Sequence, residues 1–482
     1  MMSTDPRYNN DDWSPSRRGN SPQGLNRRRL FWTARLALAA VACMGLFAMW
    51  NSEFPSRMIL QKNWCGDANS ELYSQQQLAA QKLNPLASVV GSPTESFRDN
   101  LRLDTKYITS WGSGGWSNDV ISIMNLIYLG LITERVPVLP VFLPSHFMLN
   151  NYGDDHSPLP FGDVFDLPWL RRAINEPLLE WRDVKASNST VTDDIGCWNV
   201  WESIQYHDKA PRQSFGPWFS KLDISYTKTP DWVKLKQNFE HDRYSTFWAL
   251  ASLAFPFRRN QSLVPPLPNK RNVSLPPDEH MLCYDFLYYV AADQSDEIEL
   301  DYSPAWRFVG QHMQWTPRLE RLTDDYIRRT LNVRWDEPIP PFISVHVRHN
   351  DFKEWCEPDV TLEECFAPLS VIERRVREVQ DELRERKGIE VEHVIVTSDE
   401  KNHTWWADVD ELRWLGVDHS RTKELYGRWY PILIDAVIQS KGSAFVGTAR
   451  STVSILASRR VQSWQDGPVR MVQWGKLGAD DH

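Results

Sequence analysis

Cysteine is scarce in this sequence, and so is any excess of positive charge. Six of the 482 residues are cysteine, and none of them forms the C-x-x-C pattern that holds structural zinc. The formal net charge is -9, whereas proteins that bind nucleic acids usually carry a basic surface. The composition therefore disfavours both a zinc module and a nucleic-acid-binding protein.

Long apolar runs are also few, and one near the N-terminus stands out. Residues 1–29 are polar and are expected to form a disordered cytosolic tail. They end in Arg27 to Arg29, directly before the apolar segment 30–50, which can span a membrane if Arg35 reaches the headgroups. A cleaved signal peptide is the alternative, but the long tail and the lack of a small-x-small site oppose it. Because the arginines place the N-terminal end in the cytosol, we predict a signal anchor.

The chain beyond the anchor is expected to lie outside the cytosol. Residues 51–103 are interpreted as a stem with a Gln-rich helix at 70–83. Four N-x-[ST] sequons agree with a luminal location and are predicted glycosylation sites: Asn188, Asn260, Asn272 and Asn402.

One strand and the polar residues after it organise the second half of the sequence. Residues 342–347 form an apolar run that predicts a buried strand, and Arg348 and Asp351 follow it. Ligands of open α/β sheets bind at the carboxyl ends of the strands. Arg348 suits phosphate there because a guanidinium binds phosphate oxygens in pairs. Alternatively, Arg348 and Asp351 pair with each other in solvent.

Residues 338–482 alternate apolar strands with helices. Strands are predicted at 342–347, 394–396 and 444–446, and helices at 368–387, 430–440 and after 451. This alternation is typical of a parallel, doubly wound α/β domain. Ser451 and Thr452 stand where the last helix begins, and their hydroxyl groups either cap that helix or hold phosphate.

Cysteine pairing can be predicted in part. Cys356 and Cys365 lie in an insertion between the first strand of this domain and its helix, and the loop between them is short. We therefore predict a disulfide between them in an oxidising compartment. The pairing of Cys65, Cys197 and Cys283 stays open.

Residues 104–337 are assigned to a first α/β domain with insertions. A strand at 107–111 runs into the Gly-rich turn 112–118 and then into an apolar helix, Asp119 to Glu134. Free N–H groups of such a turn favour anions, although many Gly-rich turns are only tight connections. The Pro- and Trp-rich stretch from 150 to 337 has no clean period and indicates little about chemistry.

Together these pieces resemble the GDP-fucose protein O-fucosyltransferase family. The segment from His346 to Phe352 is similar to its H-x-R-x-x-D-[FW] motif. Phe445-Val446-Gly447 followed by Ser451-Thr452 is similar to its F-x-G-x-x-x-S-[ST] motif, with Asp435 ahead of it. Gly114 to Asn118 is similar to its G-x-F-G-N loop. The resemblance covers about residues 107–147 and 341–456.

The resemblance implies two facing Rossmann-like domains (the GT-B fold), with nucleotide held mainly by the second. Fucose would pass from GDP-fucose to a protein or glycan hydroxyl with inversion and without a catalytic metal. By position, Arg348 would neutralise the β-phosphate, and Asn118 would face the reacting sugar. The remaining residues implied in nucleotide-sugar binding are Gly114, Gly115, His346, Asp435, Ser451 and Thr452. With the anchor, this predicts a single-pass type II protein of the Golgi or endoplasmic reticulum membrane.

The general base is the point at which the sequence departs from the family. Some members carry a Glu in the Gly-rich loop, where this chain has Gly115. Asp351 or Glu354 could serve instead, or the transfer could need little base assistance. Trp116 and Ser117 also replace the usual Phe and Gly.

Two other functions remain open from the sequence. A metal-dependent transferase of the GT-A type would need a D-x-D pair, and Asp408 and Asp410 form one. Their surroundings predict a helix, which places them poorly for a metal. A catalytically inactive, membrane-tethered binding protein that keeps the fold is the second alternative.

Overall fold

The computed structural model describes residues 83–144, 157–205, 209–240 and 242–481. The predicted tail, the predicted anchor and most of the predicted Gln-rich helix lie outside these ranges. Within them, no helix is long and apolar enough to cross a membrane.

The structure is an α/β fold built on two parallel sheets, in agreement with the predicted class. The strands are β1 (Tyr107–Ser110), β2 (Val136–Leu139), β3 (Leu179–Glu180), β4 (Asp193–Asn199), β5 (Leu222–Lys228), β6 (Ser245–Thr246), β7 (Met281–Tyr284), β8 (Val290–Ala291), β9 (Phe342–Val347), β10 (His393–Ser398), β11 (Leu415–Gly416), β12 (Ala444–Thr448) and β13 (Val469–Val472). The first sheet has the order β3-β2-β1-β7-β4-β5, and the second has the order β11-β10-β9-β12-β13. Strands β6 and β8 form a separate short pair.

Helices lie between most of these strands, as parallel connections require. They are α1 (Phe97–Asn100), α2 (Trp116–Thr133), α3 (Leu167–Ile174), α4 (Trp181–Val184), α5 (Trp201–Ile204), α6 (Gly216–Phe219), α7 (Phe247–Ser252), α8 (Pro256–Ser262), α9 (Pro304–Phe308), α10 (Pro317–Leu331), α11 (Leu362–Cys365), α12 (Leu369–Lys387), α13 (His403–Glu411), α14 (Thr422–Tyr426), α15 (Tyr430–Lys441) and α16 (Thr452–Arg460).

Helix α2 is the central helix of the first domain. Its residues are buried nearly all round, as its uniformly apolar sequence predicts. It begins at Trp116, one turn before the predicted start at Asp119, because the indole of Trp116 is buried against Phe142 and Phe165. It ends at Thr133, and the C-cap residue Glu134 adopts a left-handed conformation with φ of 54°.

The boundary predicted for the stem is wrong at its C-terminal end. Val89, Phe97 and Leu101 are buried in a core cluster that also contains strand residues of the first sheet. Phe97 packs edge-on against Trp181, with 5.7 Å between the ring centroids. Because these apolar side chains pack into the core, residues 89–101 are part of the folded domain.

Two elements of the second domain match their sequence pattern closely. Strand β9 occupies the predicted residues 342–347, all of them buried. Helix α12 buries the stripe formed by Ile372, Val376, Val379 and Leu383, and Gly388 ends it with φ of 65°.

The domain boundary predicted at residue 337 also needs correction. Helix α10 lies before that boundary, yet its residues Tyr326, Ile327 and Leu331 pack with residues of β9, β10 and α15. In addition, Leu433 and Leu456 of the second domain share the main core cluster of the first. Residues from both sides of the predicted boundary therefore share core clusters.

The structure contains two disulfides within the described residues. Cys356 is joined to Cys365, the pair that the sequence predicts. Cys197 is joined to Cys283, which links the neighbouring strands β4 and β7. Cys65 lies outside the described residues. All four sequon asparagines are exposed, at positions 188, 260, 272 and 402.

Candidate active site

Arg348 lies directly after β9 and is held by two carboxylates. Its Nη1 donates to Asp399 Oδ2 at 2.5 Å, and its Nη2 donates to Asp351 Oδ1 at 2.6 Å. The pair with Asp351 is the alternative considered from the sequence, but the Arg348 side chain is only 29% exposed. The second carboxylate comes from the neighbouring strand end, so the guanidinium is fixed between two elements rather than free in solvent.

Asp399 and Glu400 were not predicted as site residues. Both follow β10, and they hold the segment that carries Arg348: Asp399 Oδ1 accepts the His349 N–H at 2.9 Å, and Glu400 Oε2 lies 2.7 Å from His349 Nδ1. The available signal was the polar run after a buried strand, the same pattern that marks Arg348.

His346 is part of the second sheet and is buried. Its Nδ1 lies 2.7 Å from Ser454 Oγ, which also accepts the N–H of Thr448 at 3.0 Å. Burial, together with the nearby Arg348 charge, lowers the pKa of His346 to about 3. The imidazole is therefore neutral at physiological pH and acts here as a hydrogen-bonding group that ties β9 to α16.

The Gly-rich loop is closed by a carboxylate from the helix that it precedes. Asp119 Oδ1 accepts the N–H groups of Ser113 and Gly114, both at 3.0 Å. Burial raises the pKa of Asp119 to about 7, against these bonds, which lower it. A Cβ atom at Gly112 would come within 2.5 Å of Asp119 Oδ2, so this position needs glycine.

The N-termini of α2 and α16 meet in the space between the two sheets. Thr452 Oγ1 donates to Asn118 Oδ1 at 2.7 Å, and the Ser117 and Thr452 hydroxyl oxygens are 2.6 Å apart. Ser451 precedes α16, and its side chain forms no capping hydrogen bond to that helix. Of the two roles considered from the sequence, the structure thus does not show helix capping for Ser451. Two helix N-termini, each with a partial positive charge, thus converge where anions are favoured.

The other predicted residues have different surroundings. Asp435 lies on α15, and its Oδ1 pairs with Nε2 of His419 at 2.7 Å. Glu354 shares the short 3-10 segment Asn350–Trp355 with Asp351, is exposed, and forms no ion pair with any described residue. The glycines Gly114 and Gly115 stand in the loop directly before α2.

The D-x-D pair lies on a helix, as the sequence around it predicted. Asp408 and Asp410 are on helix α13, away from a strand end. In the ranges that the structure describes, no group of three or more His, Cys, Asp or Glu side chains is arranged to hold a metal ion.

The family model of GDP-fucose protein O-fucosyltransferase matches residues 107–462, well over half of the chain. The chain belongs to the GDP-fucose protein O-fucosyltransferase family. It is accordingly a fucosyltransferase that uses GDP-fucose, and the predicted family is confirmed. The match also includes the stretch 150–337, in which the sequence showed no recognisable motif.

Solved structures and curated proteins were compared as well. POFUT1 in complex with GDP-fucose is 14% identical over 77% of this chain and 98% of its own, with a TM-score of 0.44. POFUT1 in complex with GDP is 14% identical over 78% of this chain and 99% of its own, with a TM-score of 0.45. Fucosyltransferase NodZ from Bradyrhizobium is 13% identical over 73% of this chain and 92% of its own, with a TM-score of 0.38. No curated protein matches the chain.

Proposed function

We propose that the protein transfers fucose from GDP-fucose to a protein or glycan hydroxyl, with inversion, through a GT-B arrangement of its two sheets. One observation carries this proposal: the N-termini of α2 and α16 meet through Asn118 and Thr452. Arg348 lies close to these helix ends, because it follows β9, and α16 follows the neighbouring strand β12 of the same sheet. A nucleoside diphosphate carries the charge that this arrangement favours.

Arg348 would stabilise the leaving GDP. As the glycosidic bond breaks, negative charge grows on the β-phosphate, and a fixed guanidinium favours that state over the ground state. Arg348 is now paired with two carboxylates, of which Asp351 is 53% exposed and Asp399 is 21% exposed. We infer that the phosphate displaces Asp351, because Asp399 is also held by the His349 N–H.

This exchange would make Asp351 available as a base. A carboxylate released from Arg348 can accept the proton of the acceptor hydroxyl. Glu354, on the same short segment and without an ion pair to described residues, is the second candidate. Arg348 and helix N-termini together can balance the diphosphate charge, so the proposed transfer needs no metal.

We also propose that the enzyme is a type II protein of the Golgi or endoplasmic reticulum membrane. The disulfides Cys197–Cys283 and Cys356–Cys365 support an oxidising compartment. The exposed sequons agree with it.

Purified full-length protein should release GDP from GDP-fucose and label a mixture of secreted glycoproteins with fucose. Activity that survives a chelator supports the metal-independent mechanism, and activity restored only by a divalent cation would favour the GT-A alternative. A protein that binds GDP-fucose but neither hydrolyses nor transfers it would instead be the inactive binding protein.

A further inference from the structure

The Gly-rich loop is held from a second side by a residue far away in the sequence. Arg212 lies between α5 and α6. Its Nε donates to Ser113 Oγ at 3.1 Å, and its Nη2 donates to the Ser113 carbonyl oxygen at 3.0 Å. Two bonds from one planar guanidinium fix both the position and the orientation of the group that accepts them.

Ser113 is consequently held on both sides. Asp119 accepts a hydrogen bond from the Ser113 N–H, while Arg212 donates hydrogen bonds to the carbonyl and hydroxyl oxygens of Ser113. The chain after Arg212 adds two bonds: the Ser113 hydroxyl donates to the Gln213 carbonyl, and the Ser214 hydroxyl donates to the Gly112 carbonyl. A glycine-rich segment, which is flexible by itself, is in this way immobilised just before α2.

Arg212 is itself fixed by Trp201 of α5 and by the two residues that follow β7. Its guanidinium lies over the ring of Trp201, with its carbon 4.5 Å from the centroid, and also near Phe286 at 5.4 Å. Its backbone N–H donates to Asp285 Oδ2 at 3.1 Å. Asp285 follows β7 and also accepts the N–H of Val200 at 2.7 Å, so one buried carboxylate orders both Arg212 and the segment that leads into Trp201.

We propose that Arg212 is a positioning residue for fucosyl transfer, acting through the Gly-rich loop and the N-terminus of α2. The proposal rests on the proposed function, in which Asn118 at that helix end faces the reacting sugar. Arg212 fixes the loop without serving as the guanidinium for the phosphate, a role that belongs to Arg348. A shift of about 1 Å in a reacting group can cost roughly a hundredfold in rate, so a loosened loop should slow transfer.

The test compares Arg212→Ala and Arg212→Lys with Arg258→Ala in the full-length protein. Arg258 is a matched control, because it also lies over an indole of the first domain, 5.9 Å from Trp232, but has no bond to the loop. We expect kcat to fall by about tenfold to a hundredfold in Arg212→Ala, while GDP affinity measured by calorimetry changes little. Arg212→Lys, which keeps the charge, should recover part of the loss, and Arg258→Ala should match the wild type.

Amide hydrogen exchange of a peptide covering residues 107–120 gives a readout that does not need activity. It should become faster in Arg212→Ala and remain unchanged in Arg258→Ala. Unchanged exchange, or a loss of activity that only follows the folded fraction, would overturn the proposal. If the wild type transferred no fucose, the proposed function would fail, yet the exchange comparison would still decide whether Arg212 holds the loop.

If Arg212→Ala does not fold, Ser113→Ala removes the hydroxyl contact from the other side. The proposal then expects Arg212→Lys and Ser113→Ala to slow transfer non-additively, because both weaken the same contact. Additive effects in that double mutant would contradict it.

Discussion

At the scale of single residues, Arg348 gives the most direct test of the site. Arg348→Ala should reduce fucose transfer by about a hundredfold to a thousandfold, because a preorganised charge facing the leaving phosphate is lost. Arg348→Lys should recover little, since an ammonium cannot form paired bonds. The melting temperature should stay nearly unchanged, because Asp399 keeps the His349 N–H.

Arg377→Ala is the matched control for this measurement. Arg377 pairs with Glu373 on the exposed side of α12 and is 66% exposed. Loss of such a surface pair costs well under about 1 kcal/mol of stability and should leave activity intact. A fully active Arg348→Ala enzyme would falsify the assignment of the phosphate site.

His346 predicts a dependence of stability on pH. The unfolded chain protonates this imidazole near its ordinary pKa of 6.5, whereas the folded protein protonates it only near pH 3. Between about pH 3 and pH 6.5, the unfolded state therefore binds more protons than the folded state. The contribution of His346 to stability is present above this pH range and is lost as pH falls through it. His346→Asn should lose less free energy of unfolding than the wild type between about pH 7 and about pH 5.

The comparison with a variant is needed because two carboxyl groups act in the opposite direction. Burial raises the pKa of both Asp119 and Asp285 to about 7 from an ordinary value of 3.8. Between pH 3.8 and about pH 7, the folded protein keeps these two protons whereas the unfolded chain has released them. The contribution of the two carboxyl groups to stability therefore falls as pH rises through this range. Urea unfolding of the wild type and of His346→Asn at each pH isolates the contribution of His346 to the pH dependence of stability. Equal pH slopes would show that His346 is not the source.

At the scale of elements, the Gly-rich loop depends on the space around Gly112. A methyl group there would meet the Asp119 carboxylate, so Gly112→Ala should cost about 1–3 kcal/mol of stability through overpacking and should reduce transfer. Gly91→Ala is the control, because a Cβ at Gly91 meets nothing within 4 Å. Thermal unfolding and an activity assay on both variants check this, and equal behaviour of the two would contradict the role of Gly112.

Elements with a strong local pattern could be predicted from the sequence. Strand β9 is a mainly apolar, fully buried run with a sharp polar end, and α12 combines a regular apolar stripe with Gly388 at its end. Both are specified by residues close together in the chain. The general geometry of parallel sheets then predicted that Arg348 lies at the carboxyl end of this strand, and the structure places it directly after β9.

Elements that depend on distant contacts could not be predicted. Strands β4 and β7 lie in the Pro- and Trp-rich stretch, where no period marks them, and they are joined by Cys197–Cys283 at a separation of 86 residues. Arg212 reaches Ser113 across 99 positions. Its role follows only from the assembled fold, because nothing in its local sequence distinguishes it from a surface arginine.

At the scale of the whole molecule, the interface between the sheets explains why the domain boundaries were hard to place. The second domain contributes Trp429, Leu433 and Leu456 to the main core of the first. Trp315 Nε1 also donates to Ser440 Oγ at 2.9 Å, from before the predicted boundary to a helix after it. A boundary drawn from composition alone separates residues that share one interior.

The predicted topology can be tested on the whole protein in sealed microsomes. The arginines before segment 30–50 predict that protease outside the vesicles removes only the short N-terminal tail. The rest of the chain should stay protected, and at least one of the four exposed sequon asparagines should carry a glycan that an endoglycosidase removes. Digestion of the folded domain in intact vesicles would overturn this topology.

The disulfides provide an independent check on the same topology. Cys356–Cys365 closes the segment that follows Arg348 and Asp351, so its oxidation state concerns the candidate site directly. Disulfides persist in the secretory pathway and are rare in the cytosol. Peptide mapping of protein from its native membrane, alkylated without reduction, should therefore recover Cys356 joined to Cys365 and Cys197 joined to Cys283. Recovery of these cysteines as alkylated free thiols would place the folded domain in a reducing compartment, whatever the protease result.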